Sequence, residues 1–166
     1  TTPFAVLYRD NVKHSIAGPA LQPDHCVLDP GLLEKLPPHV LIDSGLDAAC
    51  QAMESIWSRQ STATSEEHAW SALDLMVHHL PQAAQTPNRE NLAAMLVAAH
   101  LAGRAISITT TTAPHALSYG LTSELGLPHG RAVGLLFGEI FEASRTASAE
   151  AFHGAPTQEQ LQERLK

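Results

Sequence analysis

The sequence predicts a mainly α fold: a helical bundle preceded by a small β-hairpin element. Three observations carry that prediction. Apolar residues recur at helical spacing through most of the chain after residue 43. Cap-type residues stand just ahead of two of those blocks. Only the first thirty residues show the short, turn-bounded runs that strands make.

Each element follows from its own residues. "FAVLYRD" is an apolar and aromatic run that ends in a turn signal at Arg9-Asp10-Asn11. "VKHSIA" alternates after it, so the two pair as a hairpin, with "HCVLD" as a candidate third strand. "DPGLLEKLPP" gives a short helix bounded by prolines. In "DSGLDAACQAMESIWS", Leu46, Cys50, Met53 and Trp57 form a helical stripe that Ala49 and Ile56 widen. "TSEEHAWSALDLMVHHLPQAA" opens on a Ser or Thr cap with glutamates in its first turn. Its stripe includes Trp70, Leu73, Met76 and Val77, and Pro81 can kink or end it. "NRENLAAMLVAAHLAGRAIS" starts at an Asn cap and is apolar enough to sit at the centre of a bundle. Thr109 to Thr112, followed by Ala113-Pro114, disfavour continued helix and predict a sharp turn. Hydroxyls there serve either a polar ligand or the backbone. "HALSYGLTSEL" and "RAVGLLFGEIFEASRTASAEAF" are further helices, separated by Gly126-Leu127-Pro128. "TQEQLQERLK" is a polar helix capped by Thr157.

Composition narrows the function. The chain has 166 residues, 44% hydrophobic and 16% charged, which suits one globular domain with a core. A net charge of −7 disfavours nucleic acid and anionic membrane as partners, since both require clustered Lys and Arg. A small anionic substrate stays open. No apolar run approaches a membrane span, and the N-terminus lacks the regions of a signal peptide. Cys26 and Cys50 form no disulfide framework or Cys-x-x-Cys motif, so a reduced, cytoplasmic setting is the simplest reading. A start at Thr-Thr-Pro-Phe, without methionine, suggests a fragment or a processed chain. A homo-oligomer is compatible with all of this.

Ten histidines are present without forming a tract. Asp47 and Gln51, four apart on a helix, lie on one face and can reach one atom. Taken alone they are better explained as a solvated polar stripe that Glu54 and Ser58 extend. His115 and His129 bracket a helix-length segment, and alone they are better explained as capping or core histidines. Together the four offer a carboxylate, an amide oxygen and two imidazoles. That donor set suits Fe(II) or Zn(II) with a position left open. His68, His78 and His79 read as surface or packing residues, and His100 as a satisfied core residue. No phosphate loop, Walker pattern or Ser-His-Asp order is present, so nothing here binds a nucleotide by itself.

The order "LDP", "LP", "SGLDAACQAMES", a long apolar helix, then "APHALSYGLTSELGLPHGRAVGLLF" resembles the iron-containing (group III) alcohol dehydrogenase superfamily over residues 1 to about 145. The resemblance implies a dehydroquinate synthase-like C-terminal helical domain. In that family Gly-x-Asp-Ala, His-Ala-x-x-His and Pro-His-Gly segments supply a metal site. Carried over, Asp47, His115 and His129 match ligands, and Gln51 stands where most members have His. Tyr119 stands where many have a catalytically implicated second His. Gln51 with Ser118-Tyr119 looks most like the branch that reduces phosphonoacetaldehyde to 2-hydroxyethylphosphonate, although Thr110 replaces a lysine expected there.

The resemblance further implies that residues 1–29 are the strand segment that closes a nucleotide-binding domain, and that residues 30–166 are the metal-binding domain. The nucleotide-binding domain itself is expected to be missing. Lys13 would lie on the hairpin, where a basic residue can approach the cofactor. The implied activity is a metal-dependent, NAD(P)H-linked aldehyde reductase acting on a small aldehyde/alcohol pair, with Tyr119 positioning substrate or relaying a proton. The alternatives are a non-catalytic metal-binding helical module and a reductase of an uncharged short-chain aldehyde.

Overall fold

The computed structural model describes residues 1–10 and 12–146, with only the backbone at Tyr8, Val12 and Lys13. The element order is β1 (Phe4–Arg9), β2 (Val12–Ala17), two short 3-10 turns, then α1 (Pro38–Trp57), α2 (Ala63–Gln85), α3 (Arg89–Ile108), α4 (Ala113–Leu125) and α5 (His129–Thr146). The mainly α bundle behind a hairpin is what the sequence predicts. The proposed Thr157-capped helix and the end of the last apolar block lie outside the described residues.

β1 and β2 pair antiparallel, from Phe4 opposite Ala17 to Arg9 opposite Val12. Asp10 sits at the tip with φ 51°, a left-handed conformation that Asp tolerates in tight turns. "HCVLD" is not a strand: the sheet among the described residues has two strands. Val27 is 88% exposed, so its apolar side chain has almost no packing to hold a strand there. The proline-bounded "DPGLLEKLPP" shortens to a 3-10 turn at Pro30–Leu33, where the Asp29 carboxylate accepts from the Gly31 N–H. The next helix starts earlier than its apolar stripe suggests, because Pro38 occupies the first turn, where a missing N–H costs nothing.

The caps explain the long helices. Thr62 and Ser65 form a reciprocal capping box at the start of α2, and Asn88 accepts from the Asn91 N–H at the start of α3. Pro81 neither ends α2 nor stops it short of Gln85.

The main core lies between α1, α2 and α3. Small residues (Ala48, Ala52, Ala69, Ala72, Ala98, Ala102) let the helices approach closely around Leu41, Ile56, Met76, Leu92 and Met95. The stripe on α2 matches the expected one at Leu73 and Met76 and departs from it at Trp70 and Val77. Trp70 is 46% and Val77 71% exposed, whereas Ala69, Ala72, Met76 and Ala83 face inward. Alanines decide the phase because only small side chains fit the close α2–α3 contact. α3 is long and apolar enough, by length and composition, to cross a membrane, contrary to the expectation that no run approaches that length. Here its Leu92, Met95, Ala98, Ala102 and Ala105 belong to the core. His100 on the same helix is part-buried, its Nδ1 lying 3.2 Å from Thr1 Oγ1.

A second apolar cluster joins α1 to α5: Cys50, Val133 and Phe137, with Met53, Trp57 and Phe141 against them. Trp57 stacks on Phe137, ring centroids 5.1 Å apart. Gly126 ends α4 in the left-handed region at φ 67°, where a Cβ is strained. That sharp stop allows α5 to begin at His129, three residues later.

Candidate metal centre

Three elements converge on one spot. Asp47 lies mid-way along α1, His115 in the first turn of α4, and His129 at the first position of α5. His115 Nε2 is 3.0 Å from Asp47 Oδ1, and His129 Nε2 is 3.8 Å from the same oxygen. One ligand atom from each of the three lies within 4.8 Å of the others, a spacing one ion can bridge. The imidazoles meet edge to face, with centroids 5.4 Å apart. Asp47 and His129 are partly exposed and His115 is buried, so the cluster has a dry side and an open side.

Backbone proximity makes this possible. At Gly130, an added Cβ would lie 1.8 Å from the Asp43 carbonyl oxygen and 3.1 Å from Asp47 Cβ. α5 therefore lies directly on α1 at the turn that carries both Asp43 and Asp47. Arg131, on the next residue of α5, donates from Nε to Asp43 Oδ1 at 3.1 Å and ties the same crossing together.

Gln51 is also brought here, one turn after Asp47. Its Nε2 donates to Asp47 Oδ2 at 3.0 Å, so it braces the carboxylate, and the amide must turn to present its oxygen to an ion. Tyr119, one turn after His115, is 41% exposed and its ring stacks over His129 with centroids 6.2 Å apart. Lys13 lies on β2 in register with Tyr8, and its side chain is outside the described atoms.

The polar stripe expected on α1 is not solvated. Glu54 and Ser58 are both buried, Glu54 with no exposed surface at all. Glu54 Oε1 meets His115 Nδ1, and Oε2 accepts from the Thr112 N–H and from Thr112 Oγ1, the latter at 2.8 Å. Thr109 is buried too, its hydroxyl donating to Ser55 Oγ at 3.0 Å. Both threonines thus pin the α3–α4 turn onto α1, while Thr110 stays exposed. Glu54 is the residue that sequence reasoning missed as a partner of the cluster. One signal pointed to it. Asp47, Gln51 and Glu54 are spaced i, i+4, i+7 and share one face, so if Asp47 turns toward the histidines Glu54 turns inward with it.

The electrostatics follow from this packing. Burial pulls the His115 pKa down, but hydrogen bonds to Asp47 and Glu54 and their charges outweigh it and raise the value to about 9. Without an ion, His115 is therefore protonated at neutral pH. Because its folded pKa lies above the ordinary 6.5, the stability it contributes is complete below pH 6.5 and is lost as pH rises through about 9. Urea titrations of the ion-free chain at several pH values should show this decline. A saturating divalent cation should reverse the slope, since ligation requires the neutral ring.

Burial, then the charges of Glu54 and Asp47, push the Cys50 thiol up to about 12. Cys26 is exposed. A disulfide reagent at pH 8 should titrate one thiol in the folded chain and the second only after denaturation. Two rapid equivalents would contradict this packing.

Two helical imidazoles and a carboxylate beside an open cleft define the class: a helical domain offering an incomplete, open-sided site for a borderline divalent cation. The chain belongs to the Fe-containing alcohol dehydrogenase family, whose C-terminal domain model matches residues 41–162. Phosphonoacetaldehyde reductase of Streptomyces viridochromogenes is 39% identical over 153 residues, 89% of this chain and 38% of that protein. The sulfoacetaldehyde reductase of Bifidobacterium kashiwanohense, solved in complex with NAD+, superposes with a TM-score of 0.84 at 28% identity, covering 98% of this chain and 47% of that one. An iron-containing alcohol dehydrogenase of Thermotoga maritima gives a TM-score of 0.82 at 31% identity, covering 99% and 46%. The chain thus spans less than half the length of these relatives.

Proposed function

We propose that this chain is the metal-binding half of an NAD(P)H-linked aldehyde reductase, with Asp47, Gln51, His115 and His129 as the ligands. The convergence of Asp47, His115 and His129 within 4.8 Å, in a chain of this family, carries the proposal. The donor set fits Fe(II) or Zn(II): two imidazoles and a carboxylate of borderline hardness, with Gln51 Oε1 as the fourth donor once the amide turns. A bound ion would supply Lewis acidity at the aldehyde oxygen. A nicotinamide cofactor, held by a nucleotide-binding domain that this chain would face across a cleft, would supply the hydride. The proposed division at residues 29 and 30 places the hairpin, with Lys13, on the cofactor side.

The chain's own residues orient the reactants. Asp47 and His129 border a cleft of about 340 Å³ lined also by His39, Val40, Asp43 and Pro128, which is room for a small aldehyde. Tyr119, stacked on His129, is positioned to hold substrate or pass a proton at its phenol oxygen. We place the protein in the cytoplasm, where the buried free thiol of Cys50 is kept reduced.

The substrate is a small aldehyde, phosphonoacetaldehyde or one like it. The phosphonate reading rests on the 39% identical relative and on the Gln51 and Ser118-Tyr119 pattern. A second reading, an uncharged short-chain aldehyde, is favoured by the cleft, whose lining contains Asp43 and Asp47 and no Lys or Arg among the described residues. The test is elemental analysis of the complete protein, followed by NADH and NADPH oxidation with phosphonoacetaldehyde and propanal. One equivalent of iron or zinc and turnover with either aldehyde is expected. Absence of metal would overturn the site, and metal without turnover would favour a non-catalytic metal-binding module. The chain of 166 residues alone should bind metal yet oxidise no NAD(P)H.

A further inference from the structure

Glu54 lies at the end of a directed chain of hydrogen bonds. Trp57 Nε1 can only donate, and it donates to Thr112 Oγ1 at 2.8 Å. The Thr112 hydroxyl hydrogen is then left for Glu54 Oε2, 2.8 Å away, which also accepts the Thr112 N–H. Both donors converge on Oε2. The other oxygen, Oε1, meets His115 Nδ1. A carboxylate that accepts at both oxygens requires Nδ1 to carry hydrogen. The neutral ring then exposes its lone pair at Nε2, the nitrogen that faces Asp47 Oδ1 at 3.0 Å.

We infer that Glu54 is a positioning residue that fixes His115 as the Nδ1–H tautomer, with Trp57 and Thr112 setting the direction of the chain. The inference rests on the metal-centre reading above. It extends that reading from the ligands to the group that makes one of them ligate through Nε2. The origin of the chain is held by structure: Trp57 stacks between α1 and α5 on Phe137 and Phe141. The aromatic cluster that packs α5 onto α1 therefore also aims the first donor. Glu54 has no exposed surface, so no water competes for either oxygen.

The isosteric variant Glu54→Gln separates this role from a merely structural one. Two donors still point at the Oε2 position, so the amide must place its carbonyl there and turn its NH2 toward His115 Nδ1. The ring then has to accept at Nδ1 and carry its hydrogen on Nε2, where it blocks a cation. Zinc binding by the full chain should weaken by about 10–100-fold, the usual effect of losing such an orienting partner. Thr112→Ser keeps both donors and should stay within about twofold of the parent. Long-range 15N–1H spectra of the zinc-loaded parent should show hydrogen on Nδ1 and zinc at Nε2 of His115.

Equal zinc affinity in parent and Glu54→Gln, or zinc at Nδ1, would overturn the positioning role while leaving the metal centre intact. If the parent binds no zinc, the metal reading falls and this inference falls with it. If Glu54→Gln gives no cooperative melt, Trp57→Phe decides, because it keeps an aromatic ring in the stack and removes the N–H donor. A severalfold weaker zinc affinity is then expected, and an unchanged one overturns the inference.

Discussion

Replacing Gly130 with alanine should destabilise the chain by more than about 3 kcal/mol and disperse the metal centre. Overpacking a core side chain costs about 1–3 kcal/mol when neighbours can give way. Here the new Cβ meets the Asp43 carbonyl oxygen at 1.8 Å, and a backbone carbonyl inside α1 cannot rotate aside. The helices must separate instead. Separation breaks the packing of Val133 and Phe137 on Cys50 and carries His129 away from Asp47. Gly138, on the same helix, has nothing within 4 Å of its added Cβ, so Gly138→Ala should be neutral or stabilise by up to about 1 kcal/mol. Urea denaturation of the two variants should therefore shift in opposite directions or differ by several kcal/mol. Equal midpoints would show that α5 does not lie against α1 as described.

His129→Ala should weaken zinc or cobalt binding by more than about 100-fold, beyond the loss expected for an orienting partner. In the proposed centre the residue would supply one of three donor atoms that lie within 4.8 Å of one another, and Gln51, bonded to Asp47, offers no imidazole in its place. Its removal also uncovers Tyr119, whose ring stacks on it. Fold should survive, since His129 is the first residue of α5 and only partly buried. His78, exposed on α2, is the control, and His78→Ala should leave affinity unchanged. Isothermal titration with zinc measures both. Retention of stoichiometric, tight binding by His129→Ala would remove this residue from the ligand set.

How much of this was legible beforehand differs from element to element. The capped starts of α2 and α3 and the stop at Gly126 depend on residues within one turn, and the sequence shows them directly. The same holds for the threonine turn before α4. On α2, Leu73 and Met76 face the core as expected, but Trp70 and Val77 lie outside although they are bulkier than the alanines that face inward. Hydropathy measures transfer from water, whereas the close approach of α2 and α3 selects for size. The third strand does not form: "HCVLD" has strand-like composition but joins no sheet among the described residues.

The site shows the same division. Motif order points to Asp47, His115 and His129, and the helices bring them together. The sequence alone puts Glu54 on the outer face, because a charged residue on a helix usually is solvated. Its burial is decided by His115, 61 positions further along, and by Thr112, 58 positions further along. By itself, then, the sequence determined which long segments become helices, where the capped helices α2 and α3 begin, and which residue types could serve a cation. Only the tertiary structure decided which face of α1 lies inside, that Gly130 lets α5 rest on Asp43, and that a buried carboxylate grips one imidazole. Helical periodicity reports which residues share a face, while the partner of that face is set by contacts between distant parts of the chain.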